Sequence, residues 1–467
     1  MHANFENRMS KTIKLKKGFD INIKGKPQNT IFENFTSKTY SVKPTDFNGI
    51  APIPKVVVNE GDEILAGDVL FFNKKTDAIK YCSPVSGVVK SVTRGAKRSI
   101  AEIVIQADKE NSYRQLDAAP TNNREALVNW MAANGCWPFL MQRPYGTVAD
   151  MDATPRSIFI SGFDSSPLAV DCNLAVVDQY DNLQAGIDVL NQLASGKVHL
   201  GLSAKNQKSN GFGKLTNVDI NYFDGPHPAG NVGIQIHHLA PINKGEIVWT
   251  VKLQDAITLG RIVKTQQFNT ERLFAIGGPQ VKNPQHFKAF LGANVEGALM
   301  DNLNMDLMRQ DGNQNLRIVS GNPLTGKAIA PNGHLGFYDS QISVIEEGDD
   351  YEFFGWILPQ YQKPSISKTF FWNMFGQSKK AFDVNTNTHG EHRAIVVTGE
   401  YEKVLPMDIF PTQLLKSILA NDLDLMEGLG IYEVIEEDLA LCEYVCTSKT
   451  NVQKIIRQGI ETMQEQG

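Results

Sequence analysis

Glu60-Gly61-Asp62-Glu63-Ile64-Leu65-Ala66-Gly67-Asp68-Val69-Leu70, followed by Ser83-Pro84-Val85-Ser86-Gly87-Val88-Val89, decides how the N-terminal part of this chain reads. Each run joins a Gly-containing turn to a short apolar segment, the signature of short strands bounded by turns. Together they read as the two halves of a barrel-sandwich.

Modules of this shape in the biotinyl and lipoyl class carry a modified lysine at the tip of a tight hairpin between the halves, flanked by Met or Asp. Here the connection is Phe71-Phe72-Asn73-Lys74-Lys75-Thr76-Asp77-Ala78-Ile79-Lys80, with neither a Met-Lys-Met nor an Asp-Lys pair. The shape is expected without the arm. A modified Lys74 or Lys75 is the alternative to be excluded.

Working outward, Phe19–Ile23, Val56–Val58, Val88–Val92 and Ile103–Ile105 are further short segments separated by Gly, Pro and Asn. They extend an all-β module over residues 10–112, behind an N-terminal extension of residues 1–9, with Met9-Ser10-Lys11 as the expected start. After it the pattern changes. A short helix is expected over Arg124–Ala133. Ser157–Ile160 is a buried-type strand, Leu183, Ile187, Leu190 and Leu193 recur at helical spacing, and Val198-His199-Leu200 opens the next strand. This is a βαβ unit, so residues 113–265 read as an α/β, Rossmann-like domain with a parallel sheet, continuing through Val218–Tyr222 and Ile247–Val251 to a helix near Asp255. Residues 266–358 read as a β-grasp-like domain with strands at Arg272–Ile276, Leu316–Ser320 and Gln341–Ile345. Residues 359–467 read as a linker, irregular over Pro359–His392, and a C-terminal helical domain. There Pro411-Thr412 opens one helix, Asp422–Glu427 the next, and Glu436-Glu437-Asp438 precedes a helix expected to carry Cys442 and Cys446 on one side. The fold class is α+β multidomain.

At 467 residues, 42% hydrophobic and 21% charged, the chain can bury several cores. Its formal charge of −5 is mixed in sign along the sequence, which gives no footprint for nucleic acid. The basic runs Lys11–Lys26 and Arg94–Arg98 read as solvated strand faces, with a membrane surface or acidic partner as the alternative. No apolar run reaches the length of about 18 residues that a spanning helix needs, and Met1–Lys17 has no secretory pattern. Five scattered cysteines (Cys82, Cys136, Cys172, Cys442, Cys446) point to a reducing compartment, the cytoplasm by default.

A nucleotide-binding α/β domain needs glycines between its first strand and helix, because backbone N–H groups must approach phosphate closely. After Ile160 the chain has Ser161-Gly162-Phe163-Asp164-Ser165-Ser166-Pro167-Leu168, so the domain lacks the dinucleotide fingerprint. Gly211-Phe212-Gly213-Lys214-Leu215 has half of a phosphate loop and reads as a surface turn. Gly225-Pro226-His227-Pro228-Ala229-Gly230-Asn231-Val232-Gly233, followed by His237-His238, is the most unusual loop. Prolines on both sides of His227 stiffen it, and a rigid histidine suits a ligand, a quinone carbonyl or a domain interface. Cys442 and Cys446 with His389 and His392 could together hold zinc, but their spacing matches no known finger and buried small side chains are the simpler reading. An iron–sulfur cluster needs about four thiolates, which the region lacks. No Gly-x-Ser-x-Gly elbow occurs, and no catalytic residue is assigned.

Ser10–Asp20, the Glu60 and Pro84 halves, Arg94–Arg98, Asp152–Phe159, Gly225–Gly230, Ile276–Pro284 and Pro411–Leu415 resemble, in order and nearly end to end, the A-subunit family of the sodium-translocating NADH:quinone oxidoreductases. The resemblance implies a peripheral subunit on the cytoplasmic side of the bacterial inner membrane. Its partners are the other subunits of a six-subunit pump that passes electrons from NADH to ubiquinone or menaquinone and exports Na+. It implies a soluble-ligand-binding β-grasp (SLBB-like) fold around Gly277-Gly278-Pro279, and a relation to the flavin-bearing NADH-oxidising subunit of respiratory complex I and to the C subunit of the Rnf complex. Flavins, iron–sulfur and NADH belong to the whole complex. This chain lacks the Gly-rich flavin loop and all but two of the C-terminal cysteines, so no cofactor and no metal are expected in it. Docking on the membrane subunits and contact with a quinone are expected, with Arg143, Arg156 and His227 as quinone or interface candidates. The other reading is a stand-alone carrier or binding protein with a modified lysine, and a soluble flavin-dependent dehydrogenase is a third.

Overall fold

Short alternating runs build the N-terminal β module in a computed structural model that describes residues 11–33, 35–206, 211–300, 302–303, 316–348, 353–354, 364 and 380–466. The first two strands, β1 (Lys11–Lys14) and β2 (Ile31–Phe32), leave this module for other sheets. The module proper consists of β3 (Thr39–Val42), β4 (Lys55–Val56), β5 (Glu63–Ile64), β6 (Val69–Asn73), β7 (Thr76–Cys82), β8 (Gly87–Arg94) and β9 (Ile100–Ala107). They form a sheet of order β3-β9-β8-β5 and one of order β4-β6-β7. The two quoted halves lock together through Gly67 N–H to Ser83 O and Ser83 N–H to Asp68 O, both 2.8 Å. Phe71 stacks on Tyr81 with centroids 4.7 Å apart. This is the expected barrel-sandwich. Phe19–Ile23 is not a strand; Ile21 and Ile23 are instead buried against the C-terminal helices.

Helix α1 (Arg124–Ala133), capped by the Asn123 side chain on Ala126 N–H at 3.0 Å, precedes the antiparallel pair β10 (Met141–Arg143) and β11 (Thr147–Val148). Then come β12 (Ile158–Ser161), α2 (Cys172–Ala175), α3 (Tyr180–Leu193), β13 (Val198–Ser203), β14 (Asp219–Asp224), α4 (Val232–Leu239), β15 (Val248–Lys252) and α5 (Leu253–Thr265). Their sheet runs β1-β14-β13-β12-β15-β10-β11, with β12, β13, β14 and β15 parallel. Leu183, Ile187, Leu190 and Leu193 of α3 are all fully buried, each worth roughly 1.5–3 kcal/mol of burial. Helices α3 and α5 approach closely enough that a Cβ on Gly260 would lie 1.8 Å from Asn182 O, and one on Gly186 2.0 Å from Ala256 O. From β12 the chain steps to β13 and β14 on one side and returns through β15 on the other. The β12–β15 boundary is therefore a topological switch point.

The β-grasp-like region holds β16 (Arg272–Gly277), β17 (Gln285–Ala289), α6 (Glu296–Leu299), β18 (Leu316–Ser320), β19 (Lys327–Ile329) and β20 (Gln341–Glu346), in the order β19-β18-β20-β16-β17-β2. The C-terminal helices are α7 (Glu400–Val404), α8 (Pro411–Ala420), α9 (Leu423–Gly428), α10 (Ala440–Val445) and α11 (Val452–Gln466), packed around Leu414, Leu415, Met426, Leu439, Val452 and Ile456. Residues 1–9 lie outside the described residues, as does most of the expected excursion Pro359–His392. Its described end touches the body at Phe382, bridged to Ile23, and at Asn385, bridged to Glu346. Among the described residues no helix is long and apolar enough to cross a membrane.

Candidate functional site

The carboxyl ends of β12 and β15 open into a cavity of about 310 Å³, bounded also by the loop after β14, the first turns of α4 and α5, the β-grasp sheet and the turn before α10. Open α/β sheets bind ligands at this place, outside the strand ends at a switch point. Phe139, Met141, Phe163, Val170 and Leu253 supply apolar wall.

His227, between Pro226 and a cis-linked Pro228, stands on that wall. It is 3% exposed. Its backbone N–H donates to Asp20 Oδ1 at 2.8 Å, and its Nδ1 lies 3.0 Å from Ser165 Oγ. Burial pushes the imidazole pKa down, against the pull of Asp164 and Asp20, so the ring is neutral at pH 7. Nε2 is buried and has no hydrogen-bond partner among the described residues. Ser166 Oγ, on the same wall, is also buried and unpartnered.

The cations on the wall are already engaged. Arg143, 2% exposed, donates through Nη1 to Asp438 Oδ2 at 2.6 Å and through Nη2 to Glu437 Oε1 at 2.7 Å. It thereby fastens β10 to the C-terminal helical region. Arg272 Nη2 lies 2.8 Å from Asp255 Oδ1 with both side chains almost fully buried. The contact is not aligned as a hydrogen bond, which leaves both Asp255 oxygens and two Arg272 nitrogens with unspent capacity. Lys252 Nζ donates to Tyr338 O at 2.5 Å. That carbonyl contact leaves the Lys252 charge without a carboxylate partner among the described residues.

Of the three arginine and histidine candidates, Arg143 and His227 thus share the cavity wall. Arg156 does not join them. It bonds Glu246 Oε1 at 2.8 Å, Ala240 O at 2.9 Å and Pro241 O at 3.1 Å, clamping the loop after α4. His237 Nδ1 meets Glu433 Oε2 at 2.7 Å and its Nε2 accepts the Asp408 N–H at 3.0 Å, while His238 Nε2 bonds Pro406 O at 2.8 Å. Both histidines hold α4 against the C-terminal region. Ser166, Asp255 and Arg272 carry no sequence signal; Asp255 and Arg272 are separated by the rest of α5 and the turn into β16.

Cys442 lies within α10, whereas Cys446 caps it in an extended conformation, so the two do not share a helix face as expected. Both are buried. Burial pushes the Cys446 thiol up, but the Tyr401 hydroxyl (2.9 Å from Sγ) and the Thr450 N–H (3.3 Å) outweigh it and leave the thiol below its ordinary value. His389 and His392 are exposed, and no group of metal-ligating side chains forms among the described residues. In the Gly211–Lys214 turn, Phe212 is core, edge-on to Tyr180 at 5.6 Å. Lys74 and Lys75 form the exposed two-residue tip of the β6–β7 hairpin.

Comparison with known proteins agrees with this architecture. Residues 13–108 match the family described as NqrA N-terminal barrel-sandwich hybrid domain, residues 122–268 the NqrA second alpha/beta domain, and residues 273–330 the NQRA C-terminal domain. The A subunit of the Na(+)-translocating NADH-quinone reductase of Rhodopirellula baltica is 37% identical over 461 residues, covering 97% of this chain and 98% of that one. The corresponding A subunits of Vibrio alginolyticus and Pasteurella multocida are 34% and 36% identical over 460 residues, covering 97% of this chain and all of theirs. The chain belongs to the NqrA family, the A subunits of Na(+)-translocating NADH-quinone reductases. Within this family fold, the barrel-sandwich, α/β and SLBB-type regions stand in the expected order, and the helical region closes one side of the strand-end cavity.

Proposed function

We propose that this chain is a peripheral subunit of a Na+-translocating NADH:quinone reductase, on the cytoplasmic side of the inner membrane, which docks on the membrane subunits and contributes to a quinone site at the strand-end cavity. The complex would carry electrons from NADH to ubiquinone or menaquinone and export Na+. This chain would carry none of the redox groups. The names of its relatives support the place in the complex. The absence of a Gly-rich loop after Ile160, with Arg143 and Arg272 on the wall each already paired with carboxylates, supports the reading that no flavin is held here. A cluster does not fit the C-terminal region, where the only cysteines are Cys442 and Cys446.

The observation that carries the quinone reading is the buried, unpartnered Nε2 of a neutral His227 on the wall of the strand-end cavity, beside its apolar residues. An imidazole whose Nδ1 faces a hydroxyl presents Nε2 as an N–H donor to a quinone carbonyl or, with the Ser165 proton reversed, as an acceptor for a quinol hydroxyl. The same side chain therefore serves both redox states of the ligand. Ser166 Oγ offers a second hydrogen bond.

A photoreactive ubiquinone analogue applied to the intact complex tests this. Labelled peptides from Ser161–Cys172 or Gly321–Thr325 are expected. Labelling confined to the membrane subunits would remove the quinone role. Docking is tested separately, by recovering the tagged chain from native membranes and assaying the eluate for Na+-stimulated reduction of quinone by NADH.

A further inference from the structure

Behind the His227 ring runs a short hydrogen-bond chain whose directions can be followed from atom to atom. Gly230 is held from both sides: its carbonyl accepts from Ser161 Oγ at 2.8 Å, and its N–H donates to Ser165 Oγ at 2.8 Å. A Cβ on Gly230 would stand 2.5 Å from Ser165 N and 2.8 Å from Ser165 Oγ, so glycine is what lets the two segments come this close. A backbone N–H can only donate, and it takes one acceptor position of the Ser165 hydroxyl. His227 Nδ1 lies 3.0 Å from the same oxygen. The hydroxyl has one proton to give, and it forms no hydrogen bond to any acceptor but Nδ1 among the described residues. The neutral ring also carries a single proton. With Nδ1 accepting, that proton sits on Nε2, the buried nitrogen without a partner on the cavity wall. The opposite arrangement, Nδ1–H donating to Ser165 Oγ, strands the hydroxyl proton in a part-buried place. The Ser165 carbonyl favours a charged ring, but more weakly than burial opposes one. The backbone is pinned as well, since the His227 carbonyl accepts the Phe19 N–H at 2.8 Å.

We propose that Ser165 is a positioning residue that sets the tautomer of His227, so that the cavity presents an N–H donor and prefers the oxidised, carbonyl-bearing form of a quinone to its reduced, hydroxyl-bearing form. A carbonyl oxygen accepts from Nε2–H as the chain stands. A phenolic hydroxyl is the poorer acceptor, and its own proton finds an acceptor in Nε2 only when the Ser165 proton is reversed and left unpaired. The preference is worth about one neutral hydrogen bond, roughly three- to tenfold in affinity. For its ligand the inference rests on reading the cavity as a quinone site; for the tautomer it rests on the hydrogen-bond chain alone.

The tautomer is read first, without ligand, from the ring-nitrogen NMR shifts of the full-length chain labelled at histidine, the His227 signals being those lost in His227→Gln. A neutral ring protonated at Nε2 is expected, and in Ser165→Ala the form protonated at Nδ1 should appear beside it. In the intact complex without NADH, a short-chain ubiquinone is then expected to displace the photoreactive analogue from this chain at about three- to tenfold lower concentration than the corresponding ubiquinol, and Ser165→Ala to narrow that gap. A wild-type ring protonated at Nδ1 overturns the proposal, an outcome that stands even where Ser165→Ala does not fold. So does a tautomer that persists unchanged in Ser165→Ala when the variant keeps native near-ultraviolet circular dichroism. Displacement by both redox forms at equal concentration overturns the ligand preference. Labelling confined to the membrane subunits, together with a tautomer that shifts in Ser165→Ala, would remove the quinone reading and keep the role of Ser165 at His227.

Discussion

Two regions keep the outline of a functional module, the β6–β7 hairpin of the barrel-sandwich and the strand-end cavity of the α/β sheet, and they differ in what surrounds the polar groups. At the hairpin Lys74 and Lys75 are exposed, and the nearest polar contact is the Lys75 N–H to Asn73 Oδ1 at 3.3 Å. At the cavity, charges are buried and paired across elements nearly 300 residues apart, while one imidazole nitrogen is buried with no partner. Burying polar groups is costly unless something satisfies them. A retained shape is therefore weak evidence of a site, and an unsatisfied buried donor is stronger.

The sharpest break of this comparison is Arg143→Met. It leaves Asp438 buried and uncompensated, which costs about 3–5 kcal/mol for a pair of this kind. Urea unfolding of the full chain should show that loss, with the C-terminal region the first to become protease-sensitive. A loss below about 1 kcal/mol would mean that Glu437 and Asp438 relax into water, and that the cavity wall is not held from the C-terminal side.

A smaller effect follows from His227 and pH. Its folded pKa lies below the ordinary value of about 6.5 because burial disfavours the cation. Between that ordinary value and the lower folded one, the unfolded chain binds a proton that the folded chain refuses, so stability is present above pH 6.5 and lost as pH falls. His227→Gln should flatten the decline between pH 6.5 and 5 without abolishing it, since burial lowers His238 and His286 in the same way. Unfolding midpoints measured over this range check it, and an unchanged slope would show that the ring is already charged in the folded chain.

How far the sequence carried this picture depended on whether a signal was local. Helix α3 was legible because four apolar residues at helical spacing all face one core, and the strands β12, β13, β15, β16, β18 and β20 because their apolar runs end in turn residues. The short edge strand β1 was read into the β module; it is mostly exposed, and its partner β14 begins some 200 residues later. Phe19–Ile23 alternates like a strand, yet its apolar side chains are absorbed by the C-terminal helices. At the cavity, the proline-flanked His227 stood out because its backbone is locally unusual. Ser166, Asp255 and Arg272 did not, since an ordinary serine and an ordinary ion pair become distinctive only through burial. Arg156 lay in a distinctive stretch and proved to hold a loop.

With the cavity itself, His227→Ala should weaken a quinone analogue by the worth of one neutral hydrogen bond, about 0.5–1.5 kcal/mol or some three- to tenfold. In the assembled complex this would be read as a rise in KM for quinone with kcat little changed, because ground and transition states would lose the same contact. A fall in kcat alone would assign His227 to proton transfer instead.

The smallest effect is expected at the hairpin. Lys74→Ala and Lys75→Ala remove solvated charges from an exposed turn, so stability should change by no more than about 0.5 kcal/mol, and the reductase activity of the assembled complex should be unaltered. The intact mass of the chain from its native source should equal that of the bare sequence. A fixed increment lost in Lys74→Ala or Lys75→Ala would reverse the comparison. The exposed hairpin would then carry the working group and the strand-end cavity only the inherited shape, because a covalent arm needs reach and solvent access where a ring-binding cavity needs burial.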